Sequence, residues 1–512
     1  MILGHTVPAV REAEAPLLAA GEPLMLRAAR ALAGHVGARC GAAPGSAPQR
    51  LLVLAGAGSN GGDGLHAAAM LRREGITADA LATAERLHEE GAAALRDAGG
   101  TLHHLAELPS DRLEQLLEAT DLVLDAILGI GGRPEAAPEI RELLRAVRRR
   151  AVPVIAVDLP SFVDATTGEA DADALAAEET LTFGAVKAGL LLPGGTELAG
   201  RVHLVDLGLG PHLPAVAAVE RLEDEDVRAL LPRARRSDSK YTRGVVALAA
   251  GSERFPGAAV LTASGAARAG AGMVRVIAPA AVLDLVLRER PEIVGHRTGE
   301  NADGGGDLDL SAIGRTDALV IGPGLPGDDP RIGAGIDLLR RSTDGTGRGV
   351  LDAGALDALT GSDRFGPDVV LTPHRGEAER LARRLDIDPD LPAPELARAL
   401  AAATGATVLL KGAITLVAPG DGGPLRSQDD ATPQLATAGT GDVLAGVLGA
   451  LLAAGLPGPD AAALAALLHG RAGRLASRDG LHPLVALDVA DSLPEAIGTI
   501  LADAQDLNRG VR

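Results

Sequence analysis

From Arg50 onward, short apolar runs of β type alternate with stretches whose apolar residues recur at helical spacing, the rhythm of βαβ units in a mostly parallel sheet. The runs predict strands at 51–55 (LLVLA), 76–82, 121–127 (DLVLDAI), 153–157 (PVIAV), 179–183 and 201–205. One long helix over about 9–38 is expected ahead of them. After Asp206 the text becomes LGLGPHLPAV, punctuated by Gly and Pro without periodicity, and an acidic helix start follows at Glu223-Asp224-Glu225-Asp226. That shift puts a domain boundary near 210–222. The rhythm then resumes, with strands expected at 245–250 (VVALAA), 273–278, 317–321 (DALVI), 349–352, 368–372 and 407–411 (TVLLK). The Gly/Asp-rich patch 299–310 reads as an exposed loop and 420–430 as a hairpin tip. The halves do not resemble each other, so the expectation is two different α/β domains on one chain.

Composition narrows the chemistry. The 512 residues carry 49 basic and 68 acidic side chains, a net charge of −19, which repels nucleic acid and anionic lipid in general. A nucleotide must then be held locally, by loops and helix ends. The single Cys40 excludes an internal disulfide and a thiolate zinc site. No basic segment followed by an apolar core and cleavage site opens the chain, so a cytoplasmic protein is expected. Val443 to Pro459 is uncharged and rich in Ala and Leu, but Gly455, Pro457 and Pro459 interrupt it, which predicts two buried helices, roughly 443–454 and 459–478, and no membrane span. With no Trp and one Tyr, the cores must be built from Val, Leu, Ile and Ala.

Directly after the first predicted strand comes Gly56-Ala57-Gly58-Ser59-Asn60-Gly61-Gly62-Asp63-Gly64. A glycine loop there is a standard place for a dinucleotide pyrophosphate, and equally a tight strand-to-helix turn without ligand; the embedded Asn60 and Asp63 favour a ligand. Asp125 ends DLVLDA and precedes Leu128-Gly129-Ile130-Gly131-Gly132-Arg133-Pro134-Glu135, while Asp158 ends VPVIAVD and precedes Leu159-Pro160-Ser161. Carboxylates at the carboxyl ends of parallel strands gather at one rim. Asn, Asp and Ser oxygens are hard donors suited to an alkali or alkaline-earth ion. Lys187, in TFGAVKAG, would bring an amine to the same rim.

In order and spacing, these motifs over about 1–212 resemble the NAD(P)H-hydrate epimerase, or YjeF N-terminal, domain. The resemblance implies a Rossmann-like three-layer α/β/α fold that interconverts the R and S hydrates of NADH and NADPH. It implies substrate contacts at Ser59, Asn60, Gly61, Gly62, Asp63, Gly129, Ile130, Gly131, Gly132, Arg133, Pro134, Glu135 and Asp158. A potassium ion on Asn60, Asp125 and Ser161 is also implied, with catalysis by Asp158 and Lys187. Two positions depart from the family: Ser59 stands where a second Asn is usual, and Phe162 where a Gly would allow close backbone approach or positive φ that Phe resists.

The second half holds Ser239-Lys240-Tyr241-Thr242-Arg243-Gly244, then Gly251-Ser252-Glu253-Arg254-Phe255-Pro256-Gly257-Ala258-Ala259, Gly322-Pro323-Gly324-Leu325, Asp352-Ala353-Gly354, Thr372-Pro373-His374-Arg375-Gly376-Glu377 and Lys411-Gly412. It closes with Gly439-Thr440-Gly441-Asp442-Val443-Leu444-Ala445-Gly446. The last run puts a carboxylate at a helix mouth beside bare backbone N–H groups, which suits phosphate chemistry and equally an ordinary helix cap. His374 alone reads as a capping or surface histidine.

Together these motifs resemble the ADP-dependent NAD(P)H-hydrate dehydratase, a ribokinase-like α/β domain, over about 222–507. The resemblance implies a hydrate site at Ala258, Gly324, His374 and Asp442, a nucleotide site at Lys411, Gly412, Ala413, Ile414, Thr415 and Gly441, and Asp442 as acid/base. Mg²⁺ and ADP, released as AMP and phosphate, are implied, as are NADHX and NADPHX as substrates, assembly as a homo-oligomer, and no nucleic-acid or membrane partner. A ribokinase-like vitamin kinase with an inactive N-terminal binding domain is the alternative, since the same Gly-Asp motif also deprotonates stable alcohols.

Overall fold

A computed structural model describes residues 1–41, 49–298, 313–341 and 347–509; the patch 299–310 expected as a loop lies outside them. The chain divides into two compact units, Ile2–Val219 and Glu220–Arg512 with Met1.

The first unit contains β1 (Ile2–His5), β2 (Arg50–Ala55), β3 (Thr77–Ala82), β4 (Leu102–His104), β5 (Leu122–Ala126), β6 (Val154–Val157), β7 (Glu179–Phe183), β8 (Val186–Lys187) and β9 (Arg201–Val205). Seven of these form a parallel sheet ordered β4-β3-β2-β5-β6-β7-β9. Leu51, Val53 and Leu124 bury on one face against the helices Leu24–Gly41 and Ser59–Arg73, and Leu52, Leu54 and Val123 on the other against the helix Pro138–Arg150. Burial on both faces is why these strands read as unbroken apolar runs.

Three short strands, β1, β4 and β8, were not legible; β1 and β8 pair with each other, His5 opposite Lys187. The single helix expected over 9–38 is instead two, Val7–Ala19 and Leu24–Gly41. Gly21 turns left-handed at φ +79°, and Pro23 cannot continue the first helix.

Phe162 does adopt the positive φ that its side chain resists, at +67°. Its ring is buried at 5 % exposure among Leu52, Leu54, Val123 and Leu175. The strained backbone costs about 1–3 kcal/mol, less than the roughly 3–5 kcal/mol that a buried aromatic loses on truncation. Packing therefore outweighs strain.

The second unit follows β10 (Val219–Arg221), which straddles the division. It contains β11 (Val245–Ala249), β12 (Met273–Ala278), β13 (Val294–Arg297), β14 (Ala318–Ile321), β15 (Gly349–Leu351), β16 (Val369–Leu371), β17 (Thr407–Leu410), β18 (Thr415–Ala418) and β19 (Leu425–Gln428). The order is β13-β12-β11-β14-β15-β16-β17-β18-β19, parallel through β17 and antiparallel over the last two pairings. The stretch 420–430, expected as a hairpin tip, contains the whole of β19, so the hairpin is longer than its polar residues suggested.

The uncharged stretch folds into two helices, Thr440–Ala453 and Gly458–Ser477, both largely buried. Among the described residues no helix is long and apolar enough to cross a membrane. The helix Thr440–Ala453 lies against the helix Pro256–Arg268 so closely that a Cβ on Gly446 would sit 2.1 Å from the Thr262 carbonyl oxygen.

Two outcomes follow from this packing. Gly446→Ala gains about 1 kcal/mol of helix propensity but forces two backbones apart at about 1–3 kcal/mol, so thermal denaturation should occur at lower temperature. Phe162→Gly should lower stability by up to about 4 kcal/mol, ring loss exceeding strain relief; a raised melting temperature would contradict the packing argument.

Candidate functional site

In the first sheet β2 has β3 on one side and β5 on the other, so the chain leaves β2 at a point where the strand order reverses. Open parallel sheets bind ligands beside the carboxyl ends of strands at such a point. The loop after β2 sits there. Only glycine fits at its start, since a Cβ on Gly56 would lie 1.8 Å from the Ile127 carbonyl oxygen. Ser59 is exposed at the first position of the helix Ser59–Arg73, and Asn60, Gly61, Gly62 and Asp63 are buried in its first turn.

Asn60, Asp125 and Ser161 come together. The Ser161 hydroxyl donates to Asp125 Oδ1 (2.5 Å), the Ser161 N–H donates to Oδ2 (2.9 Å), and the Leu128 N–H donates to Ser161 Oγ (2.9 Å). Asn60 Nδ2 donates to the Leu128 carbonyl (2.9 Å), while its Oδ1 is buried without a hydrogen-bond partner. Burial pushes the Asp125 carboxyl above its usual range, with the Ser161 hydrogen bonds pulling it back. The hydrogen bonds to Asp125 come from neutral groups, so its charge has an incomplete answer there. An orphaned amide oxygen beside an uncompensated buried carboxylate fits an alkali cation.

Gly129 lies against the Asn60 side chain, with Ile130, Gly131 and Gly132 following in the same turn. Arg133 and Glu135 are exposed and Pro134 is half-buried; these three take no part in the hydrogen bonds of the Asp125 network.

Asp158 and Lys187 also meet. Asp158 holds positive φ, +70°, at the end of β6, and its Oδ1 accepts from Lys187 Nζ and from the Phe183 N–H (3.2 Å). Lys187 is 1 % exposed and donates in addition to Thr182 Oγ1 (3.1 Å) and to the Phe183 carbonyl (2.9 Å). All three ammonium protons are thereby used. Asp63 is buried with Oδ1 unpartnered, and burial, then the charge of Asp158, hold its carboxyl well above the ordinary value against the pull of Lys187. Glu14, from the first helix, is raised by burial and feels the same pair. No pattern around Glu14 pointed to this rim.

In the second unit the helix Thr440–Ala453 begins beside Lys411. Gly439 precedes it with no side-chain cap; the Thr440 N–H donates to the Thr437 carbonyl (3.4 Å), and those of Gly441 and Asp442 are left for a ligand. A Cβ on Gly441 would lie 3.5 Å from Lys411 Nζ. Lys411 Nζ pairs with Asp352 Oδ1 (3.0 Å) and approaches Glu377 Oε2 (3.8 Å). Burial works against the Lys411 charge, but Asp352 and Glu377 outweigh it and hold the ammonium above its usual range. Burial, and then the charge of Asp352, push the Asp442 carboxyl up to about 7, with Lys411 pulling the other way.

The first turn is braced from below by buried His469, whose Nε2 lies 2.9 Å from the Thr440 carbonyl. Burial lowers His469 to about 4, so it stays neutral and donates from Nε2. Gly412 and Ala413 are exposed, Ile414 is buried and Thr415 half-buried, in the turn from β17 into β18. Ala258 is buried at the start of its helix, and a Cβ on Gly324 would lie 2.5 Å from the Ala258 side chain, so these two are neighbours. Leu261, one turn further, packs under Gly439.

His374 caps the helix Arg375–Arg384, its Nδ1 accepting from the Gly376 and Glu377 N–H groups, and its backbone bridges to Lys411. Asp352, Glu377 and His469 received no role from the sequence. Asp352 was legible as another strand-end carboxylate, whereas His469 lies in an apolar helix that carries no such signal.

Residues 246–495 match the family model described as NAD(P)H-hydrate dehydratase, and residues 21–189 the one described as YjeF-related protein N-terminus. Over 471 residues the chain is 40 % identical to the bifunctional NAD(P)H-hydrate repair enzyme Nnr of Mycobacterium tuberculosis, covering 90 % of this chain and 91 % of that one. The protein of the same description from Escherichia coli K12 is 32 % identical over 459 residues, covering 88 % and 86 %. Among solved structures, the ADP/ATP-dependent NAD(P)H-hydrate dehydratase of Bacillus subtilis, co-crystallised with ATP and Mg²⁺, is 31 % identical, with a TM-score of 0.47, over 54 % of this chain and 97 % of that one. Two matched domains and full-length relatives at this identity lead to one conclusion: the chain belongs to the family of bifunctional NAD(P)H-hydrate repair enzymes.

Proposed function

We propose that the chain repairs hydrated NADH and NADPH in two steps, epimerising the R and S hydrates in the first unit and dehydrating the S form in the second at the expense of ADP. The observation that carries this reading is Asp442, a carboxylate tuned to about 7 at an uncapped helix start beside Lys411.

In the dehydratase step water is a poor leaving group, so the C6 hydroxyl is phosphorylated first. Asp442 takes the hydroxyl proton as the oxygen attacks the terminal phosphoryl group of ADP, releasing AMP. The N–H groups at Gly441 and Asp442 face the phosphoryl oxygens, and Lys411 offsets their charge. Phosphate then leaves, pushed by the ring nitrogen lone pair, and loss of a proton from the adjacent ring carbon restores the dihydropyridine.

Asp442, Asp352 and Glu377 set three carboxylates against the single ammonium of Lys411, a hard-oxygen surplus that fits Mg²⁺ arriving with the nucleotide; Asp352 and Glu377 would hold it. Bound there, the ion supplies charge neutralisation at the phosphates. Ala258, Gly324 and His374 are assigned to the hydrate and residues 411–415 to the nucleotide.

In the epimerase step the C6–O bond opens to a planar iminium and water returns on the other face. Asp63, whose carboxyl burial holds well above its ordinary value, gives a proton to the departing hydroxyl, and Asp158 takes one from the incoming water; the opposite direction exchanges these parts. Lys187 has no free proton to offer, so it is a positioning residue that fixes Asp158. Potassium would be held by Asn60, Asp125 and Ser161, adding positive charge beside the substrate.

The deciding experiment incubates the full chain with separated R and S hydrates and ADP, following recovery of reduced-nicotinamide absorbance. Phosphorylation of a stable alcohol with no recovery would favour the vitamin-kinase reading.

Asp442→Asn should cut nucleotide-dependent recovery by about 10²–10⁴-fold while epimerisation continues. Asp158→Asn and Lys187→Met should leave the S hydrate repaired at the wild-type rate and the R hydrate limited to its spontaneous conversion.

The base must be ionised, so kcat/KM for dehydration should rise with pH through about 7 and level off above it. Stability runs the other way. A carboxyl raised in the folded state contributes stability below its unfolded pKa and loses it as pH rises through about 7. Asp442→Asn should therefore melt higher than wild type at pH values above about 7, with the gap closing at lower pH.

A further inference from the structure

At the end of β7 opposite the Asp158–Lys187 pair, three side chains converge that neither proposed reaction uses. Glu179 opens β7, His203 lies on β9 and His35 comes from the helix Leu24–Gly41. In the parallel register Glu179 faces Arg201 and Leu181 faces His203, so Glu179 and His203 are diagonal neighbours on one sheet face. Leu181 on that face buries against Leu32 and Val36 of the same helix, which brings His35 over the pair.

Both imidazoles approach one oxygen. His35 Nε2 lies 2.6 Å and His203 Nε2 2.9 Å from Glu179 Oε2. One ligand atom from each of the three side chains lies within 4.8 Å of the other two. The other oxygen, Oε1, accepts from Arg39 Nη1 (2.9 Å), which fixes the carboxylate and leaves Oε2 to the histidines. Close as it is, His203 Nε2 is buried and misaligned for a hydrogen bond to Oε2.

Two imidazoles and a carboxylate are the protein ligand set of zinc sites that keep a fourth position open. The side chains are 30 %, 20 % and 34 % exposed for His35, Glu179 and His203, so the cluster lies near the surface. Bonds of about 2.0–2.2 Å to a tetrahedral ion set ligand atoms roughly 3.3 Å apart, so each contact need open by less than about 1 Å. Glu178 and Glu179 against Arg39 leave a net negative charge for the ion to meet.

We propose that His35, Glu179 and His203 form a binding site for a divalent transition-metal ion of the zinc class, one that ties the helix Leu24–Gly41 to the sheet edge and stabilises the first unit.

The test uses the full chain, freed of any polyhistidine tag and stripped with chelator, in saturating Mg²⁺ so that the carboxylate site of the second unit is occupied. Zinc is titrated by calorimetry and cobalt(II) by visible absorption. One ion per chain should bind, with intense tetrahedral cobalt bands. His35→Gln, His203→Gln and Glu179→Gln should each weaken zinc at least ~100-fold, since even partners outside the ligand sphere are worth 10–100-fold.

Zinc should raise the melting temperature of the wild type and not of the variants, with repair rates unchanged in all four. Zinc binding of equal stoichiometry and affinity in wild type and variants, or a cobalt spectrum that stays that of the hydrated ion, overturns the proposal. The cobalt measurement on wild type decides even where a variant does not fold.

Discussion

A carboxylate taken out of water must be answered by a positive charge, by donated hydrogen bonds or by keeping its proton, and each unit of this protein is arranged around that requirement. The parallel sheets deliver carboxylates to their carboxyl ends, and Lys187 on β8 and Lys411 after β17 reach them. In the first unit Lys187 spends all three donors around Asp158, and burial and the Asp158 charge hold the Asp63 carboxyl well above its ordinary value. In the second, Lys411 is shared between Asp352 and Glu377, and Asp442 is left at about 7. One lysine cannot neutralise every acid around it. The unbalanced remainder is where proton transfer is proposed to occur.

Close backbone packing makes such sites rigid. The Gly56 approach to Ile127 holds the first loop against β5, bringing Asn60 to the Asp125–Ser161 pair. The Gly446 approach to Thr262 seats the helix that carries Asp442, and His469 fixes its first turn from beneath. Phe162 shows the limit of reading such positions by residue type alone. Its backbone takes the conformation expected of glycine because its ring gains more by burial than the strain costs.

The fold was legible to an unequal degree. Strands buried on both faces, such as 51–55 and 245–250, showed as apolar runs, and the helices from 440 and 458 were visible between Gly and Pro breaks. Short strands without a continuous apolar run, such as β8 (Val-Lys) and β13 (Val-Gly-His-Arg), were not, because nothing in so short a mixed segment marks a strand apart from its partner. The helix break at Gly21 and Pro23 is masked in the sequence because the amphipathic pattern resumes on the far side.

What the amino-acid sequence by itself determined is the chemical inventory and its order: glycine loops after strands, carboxylates at strand ends, and Gly-Thr-Gly-Asp ahead of an apolar helix. These are local, because propensity and periodicity act over one element at a time. Tertiary structure alone decided which of these groups meet and in what charge state. Asp442 owes its shift to burial and to Asp352, ninety positions earlier; Lys187 owes its fixed position to Thr182, Phe183 and Asp158. The His35, Glu179 and His203 cluster draws on a helix and two strands far apart in the chain. Electrostatic shifts depend on distance and dielectric in three dimensions, and neither is written along the chain.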